Sequence, residues 1–150
     1  KSAEHVADFV KMKGGKFAGF VYDDGGDDFL GFLTYWKFEN YIYIEHFAVD
    51  PAHRSKNIGR SMLRHLFETV GENVLIEVEK PTTEEARRRI SFYEKNGFKI
   101  REDINYVQPP YSAEQTGVEM LLMTHGDVVL RDTRDLREML TEVYNVNEGV

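Results

Sequence analysis

The sequence predicts a mixed α/β sandwich of the α+β type, in which an antiparallel meander precedes helices and strands that alternate around a mixed central sheet. Two observations support this class. Between residues 17 and 49, apolar and aromatic runs of strand length are joined by short polar turns. From residue 58 onward, the apolar spacing becomes that of an amphipathic helix, and helix and strand patterns then alternate.

The composition indicates one globular domain. The chain has 150 residues, and 41% of them are hydrophobic, which is enough to build a core. We therefore expect one domain over residues 1–150, in which residues 127–150 form a helical C-terminal extension. Because the first residue is Lys1 rather than an initiator Met, the sequence leaves room for residues upstream.

Four elements are predicted in the first half of the chain. Val6, Phe9 and Val10 share one helical face, which predicts a helix over residues 2–13 that Gly14-Gly15 ends. Aromatic and β-branched runs separated by turn residues predict three strands of an antiparallel meander. The predicted strands cover residues 17–22, 29–38 and 41–49.

The second half is predicted to alternate helices with strands. Thr82 and Glu85 have the spacing of a capping box, which opens a helix that Asn96-Gly97 ends. An apolar stripe predicts the preceding helix, formed by Ile58, Met62, Leu63, Leu66, Phe67 and Val70. The predicted elements are helices over residues 58–70, 82–95 and 130–143 and extended segments over 74–78, 98–107 and 118–124.

Residues 49–61 form the segment with the clearest chemical signal. A strand ends there, a polar loop follows, and a helix begins, so that unpaired backbone N–H groups and the positive end of the helix dipole meet in one place. No acidic residue occurs between positions 51 and 67, whereas four basic residues do: Arg54, Lys56, Arg60 and Arg64. This arrangement suits a phosphate or pyrophosphate. An ordinary loop with a solvated basic helix face fits these residues equally well.

Three sequence blocks together resemble the GNAT acetyltransferases. The loop of residues 54–59, Arg-Ser-Lys-Asn-Ile-Gly, resembles their acetyl-CoA loop, whose pattern is Gln/Arg-x-x-Gly-x-Gly/Ala. The preceding residues 45–51 and the later residues 92–98, Phe-Tyr-Glu-Lys-Asn-Gly-Phe, also resemble the family in order and spacing. The resemblance covers roughly residues 17–124. It implies a GNAT fold and transfer of an acetyl group from acetyl-CoA to a primary amine.

The resemblance also implies where acetyl-CoA binds. Its pyrophosphate would meet backbone N–H groups at the start of the helix, and its pantetheine arm would bind main-chain groups where the strands at 41–49 and 74–78 splay apart. Asn57 stands where the family usually has Gly, and Asn accepts a left-handed backbone better than most residues do. The implied cofactor-binding residues are Phe47, Ala48, Val49, Arg54, Ser55, Lys56, Asn57, Ile58, Gly59, Arg60 and Ser61.

Three residues are the catalytic candidates. By resemblance, Tyr93 lies near the CoA sulfur and donates a proton to the departing thiolate, although a plain core aromatic fits the same position. Glu45 and Glu77 compete as the base that deprotonates the acceptor amine, and alternation predicts that His46 points away from Glu45. Either Glu could instead pair with an arginine of Arg87–Arg89, and water could carry the proton without a dedicated base.

Composition bounds the partners and the location. The net charge of −7 disfavours nucleic acid, and the histidines lack metal-ligand spacing. The sequence has no Cys and no apolar run of the roughly 18 residues that a membrane span needs, so we expect a cytoplasmic protein. The acceptor amine, small molecule or protein, stays open, as does a homodimer. The alternative function is a GNAT-fold module that senses acyl-CoA or binds a partner without turnover.

Overall fold

The structure, a computed structural model, comprises two compact units, residues 1–74 and 75–150. The single domain predicted over residues 1–150 stays a prediction. Among the residues that the structure describes, none of the helices combines the length and the apolarity that crossing a membrane requires. The described residues are 5–12, 16–23, 25, 28–104, 106–108, 118–130, 136 and 143.

The first unit contains four strands that pair in chain order, each antiparallel to the next. The predicted meander is therefore confirmed, and one more strand precedes it. A six-residue 3₁₀ helix, Pro51–Lys56, follows the last strand and leads into a long helix. The elements are β1 (His5–Met12), β2 (Phe17–Asp23), β3 (Phe29–Lys37), β4 (Ile42–Val49) and α1 (Ile58–Thr69).

The helix predicted over residues 2–13 is wrong, because the described part of this stretch, His5–Met12, forms strand β1. Val6, Phe9 and Val10 have helical spacing, but β-branched and aromatic residues also favour a strand when a partner is available. Strand β2 is that partner, and it pairs with β1 from the His5–Asp23 pair to the Met12–Phe17 pair. The predicted stop at Gly14-Gly15 lies outside the described residues.

Helix α1 covers one face of the meander. Its buried residues are Ile58, Met62, Leu63 and Leu66, which confirms most of the predicted stripe. A side-chain carbon placed on Gly31 would lie 2.9 Å from the sulfur of Met62, and the ring of Phe20 meets that of His65 at 4.8 Å. Gly31 and its neighbour at i+2, Leu33, therefore face α1, and the intervening positions of β3 face away from it.

In the second unit, the residues that the structure describes form four strands and one long helix. Strands β5, β8 and β6 are neighbours in that order, while β6 and β7 both pair antiparallel with β8. Helix α2 buries only Ala86 and Ile90. The elements are β5 (Val74–Glu79), α2 (Glu84–Lys95), β6 (Phe98–Ile100), β7 (Tyr106–Gln108) and β8 (Val118–His125).

The ends of α2 confirm one prediction and correct another. The N-cap is Thr83, whose hydroxyl accepts a hydrogen bond from the Ala86 N–H at 3.0 Å, so the predicted box of Thr82 and Glu85 is wrong by one residue. The helix ends as predicted before Gly97, whose φ of 93° is left-handed. Most of the helix predicted over residues 130–143 lies outside the described residues.

Candidate active site

The loop that leads into α1 has a helix start suited to an anion. Asn57 adopts φ 60° and ψ 26°, the left-handed conformation, and α1 begins at the next residue. The Ser61 N–H bonds to the Asn57 carbonyl at 3.1 Å as the first bond of the helix. The amides of Ile58, Gly59 and Arg60 precede that bond, and the Asn57 side chain does not cap them.

The charge around this helix start also favours an anion. The first turn of α1 contains no acidic residue. The nearest acid in sequence, Asp50, lies before the loop, and its carboxylate contacts the His53 ring at 3.1 Å. The Asp50 carbonyl also accepts the His53 N–H at 2.9 Å, which holds the loop against the end of β4. The side chains of Arg54, Ser55 and Lys56, for which phosphate contacts were predicted, lie outside what the structure describes.

A β-bulge interrupts strand β4 at Glu45. Thr34 of β3 is opposite His46, but the next residue, Tyr35, is opposite Ile44, so Glu45 is the additional residue. The Glu45 carboxylate accepts a hydrogen bond from the indole N–H of Trp36 at 2.7 Å. A bulge of this kind changes the direction of a side chain, and such bulges are frequent beside active sites.

The bulge overturns the predicted alternation along β4. Thr34 and Trp36 are two residues apart on β3 and therefore share the face opposite α1. Thr34 contacts the His46 ring at 3.1 Å, and Trp36 bonds to Glu45, so both side chains lie on that face. The expectation that His46 points away from Glu45 is wrong.

Two apolar residues of β4 are also placed differently from the prediction. Phe47 is opposite Leu33 and Val49 is opposite Gly31, so both belong to the α1 face. Unbroken alternation along β4 would instead place both of them on the face of Glu45. The separation leaves Glu45 and His46 as the polar pair of the other face, where His46 is exposed and Glu45 is half-buried.

Glu77, the second candidate base, is half-buried in β5 between two buried residues, Ile76 and Val78. The arginines of α2 that were considered as its partners are exposed. One of them, Arg89, makes an exposed ion pair of 3.7 Å with Glu79. This pair belongs to the neighbouring carboxylate of β5, and the ion pair considered for Glu77 stays a prediction.

Tyr93 lies on α2 in an aromatic environment. Its ring meets Phe92 at 5.2 Å and Phe98 at 5.3 Å, both nearly edge to face. Burial raises the pKa of the Tyr93 phenol to about 12, and the positive charge of Arg89 offsets part of the rise. The phenol therefore remains protonated throughout the range in which enzymes work.

Comparison with known proteins identifies the family. The family model described as an acetyltransferase (GNAT) domain matches residues 15–100. A solved GNAT-family protein from Bacteroides thetaiotaomicron is 39% identical over 89% of this chain and 76% of its own, with a TM-score of 0.77. The chain belongs to the GNAT acetyltransferase family. The fold class predicted from the sequence is thereby confirmed.

More distant GNAT structures share the fold alone. The ribosomal-protein-S18-alanine N-acetyltransferase from Escherichia coli is 19% identical over 79% of this chain and 73% of its own, with a TM-score of 0.55. A GNAT acetyltransferase from Elizabethkingia anophelis, with acetyl-CoA bound, is 12% identical over 83% of this chain and 98% of its own, with a TM-score of 0.58. The search of curated proteins gave no match.

The loop of this GNAT chain departs from the family pattern at one residue. The pattern has Gly at the position of Asn57, and glycine is favoured wherever the backbone is left-handed. Asn57 adopts that conformation in this chain. Asn is among the few residues other than Gly that tolerate it. Asn at this position is therefore compatible with the left-handed backbone before α1.

One contributor to the site was missed from the sequence. The sequence predicts Trp36 only as part of the aromatic strand over residues 29–38, yet its indole N–H donates a hydrogen bond to Glu45. The chain has a single tryptophan, and this was the one sequence feature that could have drawn attention to Trp36. The hydrogen bond between Trp36 and Glu45 depends on the bulge, which shifts the pairing of β3 with β4 by one residue. The residue types of β4 do not predict a bulge at this position.

Proposed function

We propose that this GNAT chain is an N-acetyltransferase that moves the acetyl group of acetyl-CoA directly onto a primary amine. The observation that carries the proposal is the left-handed Asn57 at the start of α1, inside a loop that the family model covers. This backbone directs the first amides of the helix toward one anion, as pyrophosphate binding requires. The absence of cysteine suits a reducing compartment, and we propose the cytoplasm as the location.

The acceptor has to lose a proton before it attacks. A lysine-like amine has a pKa of about 10.4, so near neutral pH it arrives as the ammonium. We propose Glu45 as the group that takes this proton, because its carboxylate is oriented by a hydrogen bond and is half-buried. Glu77 is the second candidate, since it is also half-buried among apolar residues.

The amine then attacks the thioester carbonyl, whose oxygen gains negative charge. Backbone N–H groups at the end of β4, in Phe47 and Val49, are the proposed donors to this oxygen and to the pantetheine arm. Ala48, whose own N–H faces β3, is proposed to line that arm. The carbon–sulfur bond breaks as the carbon–nitrogen bond is made, and the electron pair remains on the sulfur. Water or a nearby group takes up the second proton of the amine.

Tyr93 is proposed to stabilise the departing thiolate by donating a hydrogen bond. Complete proton transfer from a phenol of pKa about 12 to a thiolate of thiol pKa about 8.5 is unfavourable by roughly 5 kcal/mol. A donated hydrogen bond needs no such transfer. Tyr93→Phe should therefore lower kcat by up to about 10²-fold. The affinity for CoA should stay near that of the wild type. Full activity in this variant would return Tyr93 to a packing role.

An amine panel tests the proposed function. The protein is incubated with acetyl-CoA and small amines, polyamines or peptides, and both the release of CoA thiol and the mass of the acetylated amine are measured. Thiol release that depends on one class of amine supports the enzyme. Tight binding of acetyl-CoA, with no release of CoA thiol in the presence of any amine tested, would instead support the sensing module.

A variant of the loop tests the proposed site. Gly59→Glu puts a carboxylate at the start of α1, where it would repel the pyrophosphate, and should weaken CoA binding in a calorimetric titration. Glu68, near the other end of α1, is exposed and offers the matched control Glu68→Gln, which should bind normally. Unchanged affinity in Gly59→Glu would remove the site from this loop.

Direct transfer distinguishes this mechanism from one with an acyl-enzyme. The chain has no cysteine, so the best nucleophile for thioester exchange is missing. Both substrates then have to be bound together, and initial-rate plots at several amine concentrations should intersect. Parallel lines, together with an acetyl-Ser adduct that is converted to product, would instead favour an acyl-enzyme on Ser61, which lies four residues before His65 on α1.

A further inference from the structure

The aromatic residues beneath the bulge form a rigid cluster around Trp36. Trp36 is 6% exposed, and its ring meets Phe17 at 4.9 Å and Phe38 at 6.2 Å, with the planes of Trp36 and Phe38 only 5° apart. Phe38 is itself held by Tyr41 at 5.5 Å and by the ammonium of Lys16 at 5.9 Å. These contacts leave the buried indole little freedom to turn.

The direction of the indole N–H is therefore set by packing. The N–H donates to Oε1 of Glu45 at 2.7 Å, a short bond to a carboxylate that is only half-buried. Hydrogen bonds to charged groups are about twice as strong as neutral ones. Elsewhere on this face, the side chain nearest in sequence, His46, contacts Thr34. The donor that Trp36 presents to Glu45 is thus a rigid one.

We propose that Trp36 is a positioning residue for acetyl transfer. It fixes one carboxylate oxygen of Glu45 so that the other, Oε2, meets the acceptor ammonium. In that step one N–H bond of the ammonium breaks and one O–H bond forms on Glu45, leaving a neutral amine with its lone pair. This inference rests on the proposed function and on Glu45 as its base. Trp36 itself touches neither substrate.

The proposal predicts a coupling between the two residues. Trp36→Phe removes the N–H donor but keeps an aromatic ring, and it should lower kcat on the order of tenfold while KM for acetyl-CoA stays unchanged. In an E45Q background the same change should alter kcat less than twofold, because the carboxylate that it orients is gone. Phe17→Leu, which loosens the same cluster and keeps the donor, is the matched control and should not show this coupling.

A spectrum tests the hydrogen bond without turnover. The chain has one tryptophan, so the indole region of a proton–nitrogen correlation spectrum contains a single cross-peak. E45Q should shift this peak strongly because the charged acceptor is removed. A substitution of the neighbouring histidine, H46Q, should shift it far less. A peak that E45Q leaves in place would overturn the proposal.

The outcomes separate this inference from the proposed function. If the wild type acetylates an amine but Trp36→Phe lowers kcat equally with and without E45Q, Trp36 acts through packing and the inference fails alone. Wild-type kcat in E45Q would also overturn it, because Glu45 would not be the base. A wild type that acetylates no amine overturns the proposed function and, with it, the role of Trp36.

Discussion

The buried phenol of Tyr93 should make the protein sensitive to alkali in a way that one substitution removes. In the unfolded chain a tyrosine ionises near pH 10. In the folded chain burial raises the pKa of Tyr93 to about 12. Between these values the unfolded state loses the proton and the folded state keeps it. The stabilising contribution is thus complete below about pH 10 and is lost as the pH rises toward 12.

The size of the effect follows from the shift. Two pKa units at about 1.36 kcal/mol each lower the free energy of unfolding by about 3 kcal/mol once the pH is well above 12. Roughly 1.4 kcal/mol of this loss is reached at about pH 11. Tyr93→Phe has no phenol, so its free energy of unfolding should fall by that much less between about pH 8 and pH 11. Other titrating groups are common to both proteins and cancel in the difference.

Urea unfolding of both proteins at the two pH values measures this difference. Phe92→Leu is the matched control, because it disturbs the ring beside Tyr93 but keeps the phenol, and its alkaline loss should equal that of the wild type. If Tyr93→Phe loses as much stability as the wild type does, the phenol is not desolvated in the folded state. Tyr93 would then ionise in the folded protein as an ordinary tyrosine does.

Three further predictions concern the backbone. Gly31→Ala should cost about 1–3 kcal/mol in urea unfolding and also weaken CoA binding, since its new carbon would lie 2.5 Å from the Ala48 carbonyl oxygen; wild-type behaviour in both assays would contradict it. Asn57→Gly should stay within about 1 kcal/mol of the wild type, whereas Asn57→Val should cost about 1–2 kcal/mol more in thermal unfolding; equal melting temperatures would refute this. Thr83→Ala should cost about 1 kcal/mol and Thr82→Ala less than about 0.5 kcal/mol, and the reverse order would favour the capping box.

The elements that could be predicted from the sequence are those with strong periodicity or strong punctuation. Helix α1 shows both, since its stripe repeats at helical spacing and the loop before it is rich in turn residues. The strands of the meander are likewise bounded by polar turns. Residues 5–12 could not be predicted in this way, because their apolar spacing suits a helix. Only their pairing with β2 makes them a strand.

The site could be predicted in part, and the limit has a physical cause. Family motifs pointed to the loop and to Tyr93, whose roles stay predictions, and Asn57 adopts a left-handed backbone, which Asn tolerates better than most residues do. The side of the sheet on which Glu45 and His46 lie could not be predicted, because alternation assumes an unbroken ladder. One additional residue in β4 breaks that ladder and turns two consecutive side chains to one face.

The bulge at Glu45 also has a consequence for engineering this protein. Deleting that residue would close the ladder between β3 and β4, with the pairs on both sides already in register. Continuous pairing should make the sheet more regular, yet the shortened strand would carry no carboxylate at this position. Selection for thermal resistance alone would favour such a deletion, because a regular sheet is more stable even when activity depends on an irregular backbone. A stabilisation campaign should therefore hold β4 constant and seek its gains in the exposed positions of α2.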